Sequence, residues 1–238
     1  MKCIIPENGH TPTQQEYENP IWVNLQINDD NIYPFTCING HRNVLIQQEE
    51  KFELLFESAV YAISDGYFKE AVSSIASSLE RLYEFMINVI SLKHNIGQDD
   101  FLDSWKNVNS QSERQLGAFI FLYLLEFKKC PPLLKNKKTE FRNKVIHRGY
   151  FPTFDEVLEF GEETLKIMFE ILIDLRRNCK DAIQEYQAIK IKDMFEKALK
   201  ISDRPVVQSS PTLIHMVLSD DLFAKGVTLN DYLKRMKK

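Results

Sequence analysis

The sequence predicts a mainly α protein, an antiparallel helical bundle preceded by a small β-rich lobe. Three observations carry this. From about residue 48 onward, apolar residues recur at helical spacing. Before that, within residues 1–46, "IWVNLQI" (21–27) has a spacing of two, which suits strands. Only eight glycines and nine prolines interrupt 238 residues, as long helices require. With 44% apolar residues, the chain can bury the core of one medium domain, or of one domain with small attachments.

In the first lobe, Ile21, Val23, Leu25 and Ile27 of "IWVNLQI" fall on one side of an extended chain. "NDDN" (28–31) has turn composition, and "IYPFTC" with "HRNVLI" supply antiparallel partners. Phe52, Leu55, Phe56, Ala59, Val60 and Ile63 then form one helical stripe, stopped by Asp65-Gly66. A second stripe, Val72, Ile75, Leu79, Leu82, Met86 and Ile90, ends at "HNIG". The tight turn between them makes an antiparallel pair.

A third helix is expected over about 111–127. Its run "LGAFIFLYLLEF" (116–127) is too short to span a bilayer and carries Glu126, so it reads as a buried helix. "KKCPPLLKNKK" (128–138) is a basic loop broken by Pro131-Pro132, and a fourth helix ends near Gly149. A fifth begins at Thr153, where Glu156 completes a capping box, and runs to about residue 200 with room for a break. "SDRPVVQSSP" (202–211) has linker composition, and "TLNDYLKRMKK" suits a short last helix. The expected organisation is a lobe at 1–46, a helical domain at 47–200, and a linker with a short C-terminal helix at 201–238.

A net charge of −4 excludes a bulk polyanion binder, so any nucleic-acid contact must be local. Polar residues follow soon after "MKCIIPENGH", so no signal peptide and no membrane span are expected. Four scattered cysteines then suggest reduced thiols in a cytoplasm, with Cys130 and Cys179 as helix-packing residues.

One region departs from the acidic balance. Lys128, Lys129, Lys135, Lys137, Lys138, Arg142, Lys144 and Arg148 share a short segment with a single acid, Glu140. Lys135, Lys137, Lys138, Lys144 and Arg148 are candidate phosphate contacts for RNA, and Tyr150 and Phe151 candidate stacking surfaces. The other reading is a solvated lysine-rich loop.

Within it lies "FRNKVIHRGYFPT" (141–153), with Arg142, Asn143 and His147. This could be a solvated basic helix whose C-terminal histidine meets the helix dipole, or an active site. Five residues on an ideal helix separate Arg142 and His147 by ~140° around the axis, so they do not share a face cleanly.

"RNKVIHRGYFPTFDEVLEF", following an amphipathic helix pair and an apolar helix, resembles the HEPN superfamily over roughly residues 48–180. "GYFKEAVSSIASSLERLYEFMI" (66–87) looks like the second core helix of that fold. The family motif is an arginine, usually followed by a polar residue, then a histidine after four to six positions. Arg142, Asn143 and His147 match it. The resemblance implies an endoribonuclease that needs no metal or other cofactor for catalysis and uses the 2′-hydroxyl of RNA as nucleophile. An imidazole takes and returns protons near neutral pH, which fits His147 to acid–base work. A guanidinium fork stabilises charge on phosphate oxygens, which fits Arg142, and Asn143 would orient either group. The family shares its site across two protomers, so a homodimer is implied. A prokaryotic toxin or anti-phage setting, with an antitoxin or defence-system partner protein, is implied as well. The alternative is a non-catalytic HEPN RNA-binding or adaptor module; the presence of both Arg142 and His147 favours the enzyme. Where many such toxins carry a tyrosine two residues after the histidine, this chain has Gly149, with Tyr150 one further on. Glu80, on the second core helix, is either a partner for Arg142 or solvated.

Cys3, His10, Cys37 and His41 form a last constellation, since "CIIPENGH" and "TCINGH" both end in Asn-Gly-His. Two thiolates and two imidazoles could complete a tetrahedron around a structural zinc. The chain lacks a Cys-x2-Cys knuckle, and reduced cysteines with turn histidines are the competing reading.

Overall fold

The computed structural model describes residues 26–36, 42–203, 205–210, 212–218 and 228–236. In chain order these form β1 (Ile32–Thr36), β2 (Arg42–Gln47), α1 (Lys51–Ser64), α2 (Phe68–Lys93), α3 (Gln98–Trp105) and α4 (Ser112–Phe127). There follow α5 (Asn136–Arg148), α6 (Phe154–Asn178), α7 (Lys180–Leu199), β3 (Pro205–Gln208), α8 (Leu213–Leu218) and α9 (Leu229–Met236). The protein is mainly helical with a small three-stranded sheet. The strand expected at 21–27 lies largely outside the described residues.

The described residues fall into two units. In the first, β1 and β2 pair antiparallel, Ile32 opposite Ile46 and Thr36 opposite Arg42. β3 pairs parallel to β2, Val44 opposite Pro205 and Gln47 opposite Gln208. Pro205 opens an edge strand, a place where a missing N–H is tolerated. Ile32, Val44 and Ile46 pack with Ile191, Met194 and Ala198, whose spacings of three and four make one face of α7. These units divide the chain differently from the expected boundaries. Residues from Gln187 to Ser210 belong with the strands, because a two-stranded hairpin is marginal until a third strand and a helix cover its apolar face. The segment of linker composition therefore contains a strand.

The second unit holds α1 to α6, the start of α7, and α8 and α9. Its centre is α2, which packs against α1, α4, α5 and α6. Every residue of its predicted stripe, from Val72 to Ile90, is buried. The turn before it needs Gly66 at φ +83°, a left-handed conformation that costs side chains energy. Buried Ser78 donates from Oγ to the Phe52 carbonyl at 2.6 Å, tying α2 to the first turn of α1.

Thr153 caps α6 as expected. Its Oγ1 accepts from the Glu156 N–H at 3.3 Å, and Glu156 Oε2 accepts from the Thr153 N–H at 2.8 Å. The break in the fifth helix falls at Cys179. The C-terminal helices are fixed by carboxylates. Glu57 on α1 accepts from the Leu213 N–H and the Tyr232 hydroxyl, both at 3.0 Å, and Glu162 accepts from the Asn230 N–H at 3.1 Å. A Cβ on Gly161 would meet buried Leu229 Cδ2 at 2.6 Å, so α9 approaches α6 closely only because that position is glycine.

The reading of 116–127 as a buried helix needs correction. Only Gln115, Phe119 and Tyr123 of α4 are buried. Phe121 is 67% exposed and Leu125 64%, because α4 presents one stripe to the core and carries apolar residues on its outer side as well.

Candidate functional site

α5 is anchored by buried Val145 and by Phe141, whose ring lies 5.6 Å from that of Phe160 on α6. Lys138 Nζ adds an ion pair to Glu159 at 2.7 Å. Gly149 at φ +70° stops the helix just beyond His147 and Arg148.

Between α5, α2 and the first turn of α4 lies a cleft of about 410 Å³, the size of a small-ligand site. Arg142, Asn143 and His147 all line it. The separation of ~140° between arginine and histidine does not divide them, because the cleft embraces that whole arc of α5. Asn136 and Thr139, which fall within the arc, line it too. From α2 come Glu80 and Tyr83; Leu79, Leu116, Leu133 and Leu134 supply an apolar wall.

These polar groups have few partners. Arg142 Nη2 stands 3.6 Å from Glu80 Oε1, an ion pair too long to be a hydrogen bond. Arg142 Nε is buried with no hydrogen-bond partner among the described residues. The side chains of Tyr83, Asn143 and His147 make no hydrogen bond to another described residue. Gln115 on the same cleft differs: it accepts from Arg81 at 3.1 Å and donates to the Asn109 carbonyl at 2.8 Å. Tyr83 was not legible as a site residue. Its ring stacks on Phe119 with centroids 4.1 Å apart. Burial, helped by Glu80 and opposed by Arg142, pushes its phenol well above the ordinary value, so it remains a donor.

The structure divides the predicted basic patch. Lys135, Lys137, Lys144, Arg148 and Phe151 are exposed. Lys138 is committed to Glu159 with 14% of its side chain exposed, and Lys129 pairs with Asp174 at 2.7 Å. Lys144 Nζ sits 3.3 Å from the centre of the Tyr150 ring, and the Tyr150 hydroxyl donates to Glu156 at 2.9 Å. One face of the expected stacking tyrosine is therefore already covered.

A second polar cluster joins α2, α4 and the end of α6. Glu126 accepts from Lys93 Nζ, and from His94 Nε2 at 2.8 Å. Lys93 also donates to the Asn178 carbonyl at 2.9 Å, and Cys179 Sγ lies 3.9 Å from Glu126. Burial first, and Glu126 beside it, push the Cys179 thiol up to about 11 against the pull of Lys93, which suits a packing residue rather than a nucleophile. Nearby, Asp174 accepts from the buried Tyr123 hydroxyl and from Lys129.

Cys3, His10, Cys37 and His41 lie outside the described residues. Among the described residues, no group of three or more histidine, cysteine or acidic side chains is placed to hold a metal, and no helix is long and apolar enough to cross a membrane. No family model, curated protein or solved structure matches the chain.

Proposed function

We propose that this chain is a HEPN-type endoribonuclease that cleaves RNA without a metal, with α1, α2, α5 and α6 as the core of the family bundle. The observation that supports it most is the convergence of Arg142, Asn143 and His147 on one cleft with their side chains free of hydrogen bonds to the rest of the described protein. Polar groups left without protein partners are ready to take a ligand.

The reaction follows from the chemistry of these groups. The RNA 2′-oxygen attacks the adjacent phosphorus, forming a 2′,3′-cyclic phosphate as the bond to the 5′-oxygen breaks. One His147 takes the 2′ proton. In a site shared between two copies, the second imidazole returns a proton to the leaving 5′-oxygen. Arg142 neutralises charge growing on the non-bridging oxygens. The reading thus calls for a homodimer, and the outward apolar residues Phe121, Leu124 and Leu125 of α4 offer surface for a second copy. A toxin or anti-phage role in a prokaryotic cytoplasm, with a controlling partner protein, belongs to the same reading.

Purified protein incubated with total RNA in EDTA should release fragments ending in 2′,3′-cyclic phosphate, and Arg142→Ala and His147→Ala should not. Loss of cleavage in EDTA, or full activity in His147→Ala, would refute the mechanism. A parent protein that binds RNA and never cuts it would give the adaptor reading instead.

A further inference from the structure

We infer that Tyr83 is an anion-binding residue, its hydroxyl forming with the Arg142 guanidinium the donor pair that holds a phosphate oxygen in the cleft. This rests on the ribonuclease reading for the identity of the phosphate, but its geometry stands apart from that reading. Tyr83 and Arg142 line the same cleft from facing helices, α2 and α5. The guanidinium makes no hydrogen bond to a described residue, and its Nε is buried with none of them to donate to. Such a donor is costly unless a ligand satisfies it. Across the cleft from it, the Tyr83 hydroxyl is a further donor without a hydrogen-bond partner among the described residues.

The tyrosine is also preorganised. It is 6% exposed, and stacking on Phe119 fixes the ring, so presenting the hydroxyl costs little further ordering. Glu80 lies on the same stretch of α2 and pairs with Arg142 only at 3.6 Å. That leaves the guanidinium donors for an incoming anion. The apolar wall of Leu79, Leu116, Leu133 and Leu134 beside this pair suits the base or sugar of a single nucleotide rather than a stacked duplex. The substrate class is accordingly an unpaired ribonucleotide phosphodiester.

Tyr83→Phe tests this cleanly, because it keeps the stacked ring and removes only the hydroxyl. Binding of inorganic phosphate to the full chain, followed by calorimetry, should weaken about 10- to 100-fold, the range for a hydrogen bond to a charged group. Circular dichroism should be unchanged. Arg142→Lys should weaken phosphate binding too, and the double variant should lose less than the product of the two effects, since the residues share one ligand. In cleavage of a short single-stranded RNA, Tyr83→Phe should raise KM or lower kcat, as a purely structural tyrosine would not. Phosphate binding equal to the parent's in Tyr83→Phe would overturn the inference, as would a parent that binds no phosphate. If phosphate binding falls as expected while the parent cuts no RNA, the anion pocket stands and the ribonuclease reading alone fails.

Discussion

Two polar clusters sit on the same helical unit and treat their side chains in opposite ways. Around Glu126, every group is engaged: the carboxylate takes Lys93 and His94, and Lys93 also reaches the Asn178 carbonyl. Along the α2–α5 cleft, Tyr83, Arg142, Asn143 and His147 reach no hydrogen-bond partner among the described residues. Both clusters combine an acid, a base and a histidine, so residue types alone do not distinguish them. Partnering does. A satisfied cluster stabilises the fold, whereas an unsatisfied one spends fold stability to keep a site open.

The largest effect should come from His147→Ala. Losing a general acid–base costs ~10²–10⁴-fold in rate. An exposed histidine at a helix end contributes little packing, so stability should stay within about 0.5 kcal/mol of the parent. Single-turnover cleavage and urea melts measured together give both numbers, and a destabilised, still active variant would reverse the assignment of the clusters.

Glu126→Gln should do the converse. With 7% of the Glu126 side chain exposed, the loss should be about 1–2 kcal/mol, kept modest because Lys93 and His94 both reach water. RNA cleavage by the folded variant should be unchanged.

The same carboxylate carries a pH signature. Burial pushes it up, but hydrogen bonds from Lys93 and His94 outweigh burial and hold it below its ordinary value of 4.5. A depressed folded pKa gives stability that is present above the unfolded value and lost as pH falls through the folded one. Urea melts of the parent below pH 4.5 should therefore weaken more steeply than those of Glu126→Gln. Parallel curves would remove Glu126 from the acid limb.

The smallest difference separates two neighbouring lysines. Exposed Lys137 is free to meet phosphate, so Lys137→Ala should lower the salt slope of RNA binding by roughly one counterion. Lys138, held by Glu159, should change it less. Equal slopes would mean the ion pair opens on binding.

The legibility of these features follows physical lines. The stripes of α1 and α2, the Thr153 cap and the stop at Gly149 were readable because each is a local pattern with a local cause. The helix α3 was not, since none of its residues is buried and its apolar pattern is a single turn, Phe101 to Trp105. Nor was β3, four residues whose pairing is set by distant β2. At the site, Arg142, Asn143 and His147 were visible as a motif, and Glu80 as a candidate partner. Tyr83 follows Glu80 by three residues, one helical turn along the same face; that spacing was the available signal. The Glu126 cluster was hidden because Lys93 and His94, Glu126 and Cys179 meet only through tertiary packing.

The chain order of the sheet has a consequence for how the protein is made. β2 leaves the ribosome early, and its parallel neighbour β3 follows only after α1 to α7 have been synthesised. The Gln48 N–H donates to the Gln208 carbonyl at 3.1 Å, so the ends of that long insertion return to one place. Until then the growing polypeptide carries β2 with one unpaired edge, the kind of edge that recruits other chains. Loop closure costs only about 0.6 kcal/mol more for each doubling of length, so the size of the insertion is a slight burden. Its folding matters more, because a folded insertion replaces a floppy closure with a short one, much as a crosslink would. Nascent chains stalled before residue 205 should be the aggregation-prone species, and chaperone dependence should fall once β3 has emerged.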